Sequence, residues 1–117
     1  MHCDRIAAKG GVFVTKETEK AFKILYCEYK HRRKSGCPKS TAMEFEDGTI
    51  QKISAFQKWL PEDISYALRE LKAAGDVKLF LYGDCTLTEA GLEFMENKPK
   101  EFFSELGGLF DLAVLFI

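Results

Sequence analysis

Apolar positions recur at helical spacing along several stretches of this chain and alternate along one. Ala21, Phe22, Leu25 and Tyr29, joined by Ile24, form a stripe that predicts a first helix. Thr15 suits its N-cap, Glu17 and Glu19 oppose the positive helix end, and KHRRKSG closes it near Lys34 with Gly36 as a stop. Ile64, Ala67, Leu68 and Leu71 repeat at the same period, with Pro61 at the start beside Glu62 and Asp63, and Gly75 at the end. VKLFLY then alternates as a strand, Gly83-Asp84 fits a two-residue type II′ turn, and CTLT pairs back as the second strand of a hairpin. Thr88 is placed to cap a further helix, with Glu89 in its first turn and Leu92 and Met95 on its inner face.

The segment between the first and third helices is less clearly patterned. KSTAMEFEDG reads as a short second helix starting near Ser40. A rival reading is a hairpin, MEFE-DG-TIQKI, since Asp-Gly suits a primed turn and its flanks alternate. Phe56 and Trp59 are expected to anchor the connection to the core. Residues 1–15 read as an arm with a short β-prone VFV. Beyond Pro99, KEFFSELGGLFDLAVLFI starts as an amphipathic helix and is weakened by Gly107-Gly108.

At 117 residues, with ten phenylalanines, the chain can bury one modest core. Its net charge of −1 argues against gripping nucleic acid by bulk charge. The charge is nevertheless uneven. Residues 16–34 hold seven basic and three acidic residues, whereas residues 89–117 hold two basic and six acidic ones. LFDLAVLFI carries Asp111 and is about half the ~20 residues a membrane span needs, so no membrane partner is expected. MHCDRIAAKGG lacks the apolar core of a secretory signal, and the four cysteines are read as reduced thiols of a cytoplasmic protein. Cys27, His31 and Cys37 lack a paired Cys-x2-Cys and a fourth ligand, so neither a metal nor a cofactor is expected. Two histidines without a nucleophile motif or glycine-rich phosphate loop give catalysis no foothold.

The runs ALRELKAAGDVKLFLYGD and LTEAGLEFME resemble the second half of a winged helix-turn-helix domain, the latter being similar to the LTxxGxxx pattern that follows the wing in many regulators. More loosely, the whole chain resembles small YjcQ-like winged-helix proteins of Gram-positive bacteria and their phages. The fold this resemblance implies is mainly α with a small β-hairpin (α+β). It would place an arm at 1–15, a winged helix-turn-helix domain at 16–97, and an extra C-terminal helix at 98–117. Two departures stand out. The wing carries only Gly83-Asp84 at its tip, without basic residues, and the tail exceeds the minimal domain.

For such a domain the implied function is DNA binding, as a transcriptional regulator of bacterial, phage or mobile-element origin. Lys30, Arg32, Arg33, Lys34 and Lys39 are the expected phosphate contacts, and Ser65, Tyr66 and Arg69 the expected groove or partner contacts. Glu62, Asp63 and Glu70 crowd the same helix and would repel a polyanion. Phe102, Phe103, Leu106, Leu109 and Phe110 form an apolar stripe expected either to join a homodimer or to cap the chain's own core. The alternative function is a protein-interaction module, for instance a phage-encoded inhibitor of a host defence nuclease, of anti-CRISPR type.

Overall fold

A computed structural model describes residues 15–81, 83–99 and 101–103. The element order is α1 (Lys16–Lys34), α2 (Lys39–Ala42), β1 (Glu44–Phe45), α3 (Asp47–Ile50), a 3-10 turn (Ser54–Phe56), α4 (Pro61–Ala74), β2 (Val77–Leu79), β3 (Cys85–Leu87) and α5 (Glu89–Glu96). Mostly helical with one small antiparallel sheet, this is an α+β fold. The arm up to residue 14, with its VFV, and the tail from residue 104 lie outside the described residues.

Helix α1 starts where its cap dictates: the Thr15 side chain accepts the backbone N–H of Thr18 at 3.1 Å. It ends in a Schellman closure, with Gly36 at φ +98° and Cys37 N–H donating to the Arg32 carbonyl at 3.0 Å. Between these ends Ala21, Phe22, Ile24 and Leu25 are fully buried, so α1 is the central element of the core. α4 packs along it. Pro61 opens α4, and Gly75 at φ +86° closes it through a second Schellman pair, Gly75 N–H to Lys72 and Asp76 N–H to Leu71. Ile64, Ala67, Leu68 and Leu71 face the core, as their spacing implies, and Phe56 and Trp59 meet edge to face at 5.1 Å in the connection before it.

Three expectations need correction. The short second helix forms as expected, starting at Lys39, but it ends after a single turn at Ala42, and the chain then extends as β1. β1 does not pair with TIQKI; it joins β3, and Asp47-Gly48 opens a helical turn instead of a hairpin turn. The small hairpin is therefore part of a three-stranded sheet in the order β1-β3-β2. The physical reason is the exposed backbone edge of β3, which β1 covers with the register Glu44 to Thr86 and Phe45 to Cys85, burying Phe45. The hairpin tip also differs. β2 stops at Leu79, Phe80 N–H donates to the Asp84 carbonyl, and Gly83 N–H returns to the Phe80 carbonyl at 3.0 Å. The turn thus spans residues 80–83 and ends on Gly83 at φ +90°, instead of centring on Gly83-Asp84.

The β-ribbon exits into α5 through one crowded junction. Thr88 N–H donates to the Asp76 carbonyl at 3.0 Å, the Thr88 hydroxyl donates to the Gly75 carbonyl at 2.8 Å, and the same oxygen accepts Gly91 N–H at 2.9 Å. Gly91 lies so close to Asp76 that a Cβ there would sit 2.5 Å from its carbonyl oxygen and 3.1 Å from its Cα. Both are backbone atoms that cannot rotate away. Alanine would favour the helix by about 1 kcal/mol, yet the clash is expected to dominate. Gly91→Ala should lower the unfolding free energy by about 1–3 kcal/mol in urea denaturation; an unchanged or raised stability would contradict the packing described.

Candidate binding surface

The residues expected to contact phosphate are largely engaged in holding the fold together. The Arg32 guanidinium donates to the Glu44 carbonyl at 2.6 Å, pairs with Glu28 at 3.3 Å and lies over the Phe45 ring at 4.4 Å. It ties the end of α1 to β1. Arg33 donates to the Cys37 carbonyl at 3.1 Å, closing the turn after α1. Lys39 forms an exposed 3.0 Å ion pair with Glu89 at the start of α5, and that contact raises its pKa. His31 and Lys34 are exposed and Lys30 is half-buried. This basic end of α1 meets the sheet at β1, whereas α4 leads into β2 at the opposite edge of the sheet.

On α4, Ser65, Tyr66 and Arg69 are all exposed, as expected, but they do not form one site. Tyr66 points to the start of α1, where its hydroxyl bonds Glu70. Glu70 accepts the Thr18 hydroxyl at 2.6 Å, the Thr15 N–H at 3.2 Å and the Thr15 hydroxyl at 3.3 Å. Glu70 therefore anchors the N-terminus of α1 rather than repelling a ligand, a role its sequence position 52 residues from Thr18 could not reveal. Ser65 and Arg69 instead line a groove of about 250 Å³ between α3, α4 and the hairpin tip.

That groove runs beside the helix and the hairpin singled out by the sequence. Its α4 wall is Ile64, Ser65, Leu68 and Arg69; α3 contributes Ile50 and Asp47; the ribbon contributes Leu79, Phe80 and Leu81. Leu81 is 95% exposed and Phe80 54% exposed. The tip is braced against α3, because Asp47 N–H donates to the Asp84 carboxylate at 3.2 Å. Gly83 also sits so near Asp47 that a Cβ would fall 2.8 Å from its carboxylate. Across Phe80, on the outer face of the sheet, a second hollow is lined by Glu44, Glu46, Asp84 and Thr86.

The expected dimer stripe divides. Phe103 is buried on its own chain, 5.7 Å from the Tyr26 ring, and Phe102 is half-buried beneath the Lys23 ammonium. Leu106, Leu109 and Phe110 lie outside the described residues. Burial pushes the Cys27 and Cys85 thiols up to about 12, as suits small apolar residues of the core rather than metal ligands or nucleophiles. Among the described residues, no group of three His, Cys, Asp or Glu could hold a metal, and no helix is long and apolar enough to cross a membrane.

Partial burial alone would raise the Glu70 pKa, but the hydrogen bonds from Thr18, Tyr66 and Thr15 outweigh it and hold the carboxyl below its usual value. A carboxylate depressed in the folded state contributes stability above its unfolded pKa, and that contribution is lost as pH falls through the folded value. Glu70→Gln is therefore expected to destabilise the protein more at pH 7 than at pH 3 in parallel denaturation curves. An equal effect at both values would mean that the carboxylate charge is irrelevant. Comparison of the chain with protein-family models, with curated proteins and with solved structures finds no match in any of the three, so its function has to be argued from this surface.

Proposed function

We propose that the chain is a winged-helix-type module that binds a protein partner through the groove between α4 and the hairpin tip. The winged-helix part of this reading is supported by the hairpin following directly on α4, by the third strand that completes its sheet, and by the threonine-capped helix that follows. The observation that carries the choice of partner is the hairpin tip. Where a wing that reaches DNA needs cations for phosphates, this tip presents Phe80 and Leu81 to solvent. An apolar side chain with 95% of its surface in water adds nothing to the chain's own core, and aromatic and aliphatic anchors of this kind dominate protein interfaces.

Electrostatics point the same way. Glu44, Glu46 and Asp84 flank the tip, and no lysine or arginine pairs with them among the described residues. A duplex approaching α4 and the ribbon would meet these carboxylates, with Arg69 lining the groove and Lys78 exposed on β2 as cations. Arg32 and Arg33, the strongest candidates for phosphate contacts, already serve the α1 terminus. The reading is therefore the interaction module, with DNA binding as the reading it displaces.

In a gel shift with mixed-sequence duplex at low salt, micromolar protein is expected to cause no retardation; retardation that disappears in Arg69→Ala would overturn the proposal. In affinity capture from the source cells, a partner held by the wild-type chain is expected to be lost with Leu81→Asp. Retention of that partner by the variant would place the interface elsewhere.

A further inference from the structure

The groove and the hollow behind Phe80 together specify what kind of protein segment fits. We infer that the partner presents a cationic amphipathic segment: apolar side chains enter the groove, and lysines or arginines lie over Glu44, Glu46 and Asp84. This rests on the protein-binding reading and adds the chemistry of the partner.

Two features carry it. The first is geometric. Residues directly opposite in a sheet share a face, so the register Glu44 to Thr86 to Lys78 places these three on the outer face, away from the buried Val77, Leu87 and Phe45. Phe80, two residues after Lys78, lines both hollows and so forms the ridge between them. A ligand crossing that ridge touches apolar surface on one side and carboxylates on the other.

The second is charge. Among the described residues the hollow is lined by three carboxylates and no cation, Lys78 lying on the same face beyond Thr86, and the Asp84 carboxylate accepts the backbone N–H of Asp47. Like charges gathered on a small patch repel one another, and an incoming cation relieves that repulsion while gaining its own attraction. On the groove side Leu68, Leu79 and Leu81 offer apolar wall, with Ser65 and Gln51 as polar contacts at the edge. A purely polar segment would satisfy neither half, and an anionic one could pair with Arg69 in the groove but would be repelled by Glu44, Glu46 and Asp84. An uncharged apolar segment would fill the groove and leave the carboxylates as they are.

The full chain can be titrated with two designed peptides of equal length, one amphipathic in leucine and lysine and one in leucine and glutamate, by fluorescence anisotropy at low and moderate salt. The leucine–lysine peptide is expected to bind, the leucine–glutamate peptide to show no binding, and added salt to weaken the first. Leu81→Asp should reduce that binding at least tenfold. Glu44→Gln combined with Glu46→Gln, two exposed positions that bury nothing, should weaken it by about two- to tenfold. Equal binding of both peptides, with Leu81→Asp abolishing both, would overturn the cationic partner while leaving the groove as a protein site. Binding of the lysine peptide that ignores Leu81→Asp would overturn the inference, because it would be unspecific charge attraction. Binding that appears only when Phe110 and Leu115 are changed to aspartate would also overturn it, by making the chain's own C-terminal segment the occupant.

Discussion

The contact between Gly91 and the Asp76 backbone is the constraint on which the geometry of the candidate binding surface depends. Asp76 is the residue that completes the Schellman closure of α4 and leads into β2, and it is fully buried. Thr88, where the ribbon returns, bonds both Gly75 and Asp76 and begins α5 in the same step. The two ends of the hairpin are thus tied to a single point at the end of α4. β2 and β3 therefore leave and return at the same point, and near the outer end Asp47 N–H donates to the Asp84 carboxylate. The groove beside α4 exists because both ends of the ribbon are held.

The basic end of α1 illustrates how the same residues read differently once the chain is folded. In sequence, five cations in a short run look like a phosphate footprint. In the fold, the Arg32 guanidinium bridges a helix end and a two-residue strand too short to hold itself in the sheet. Its planar fork, laid over Phe45 and bonded to a carbonyl, is a use that arginine suits better than lysine. The N-terminal end of α1 is held by the opposite charge, the Glu70 carboxylate, which accepts hydrogen bonds from its first turn. Both ends of the central helix are therefore fastened by charged side chains making hydrogen bonds. Arg32, which the sequence offered as a phosphate ligand, is used in this way.

What was legible in the chain was local. Thr15, Gly36, Pro61, Gly75 and Thr88 each act on hydrogen bonds within a few residues of themselves, so their caps and stops could be assigned from neighbours alone. The inward stripe of α4 followed from its period. What was not legible depends on partners far along the chain. β1 is a strand because β3 offers an edge some forty residues later, and nothing in MEFE separates it from a helix end or a hairpin arm. Glu70 looked like a groove repellent because its partners, Thr15 and Thr18, lie at the far side of the sequence. The long hairpin tip was hidden by Gly83-Asp84, whose glycine does take a positive φ but at the end of the turn. The apolar tip was present in the letters FL, read there as strand alternation rather than as surface.

The central claim is a division of labour: Arg32 builds the fold, whereas the exposed Leu81 does not and is left for the partner we propose. Urea denaturation of the two single variants tests it most directly. Arg32→Ala is expected to cost about 2 kcal/mol or more, since it removes a charge-assisted hydrogen bond, an ion pair and the cover over Phe45. Leu81→Asp is expected to leave the unfolding free energy within about 0.5 kcal/mol of wild type, as for an exposed position without structural contacts. A neutral Arg32→Ala, or a Leu81→Asp that destabilises like a core substitution, would contradict the account.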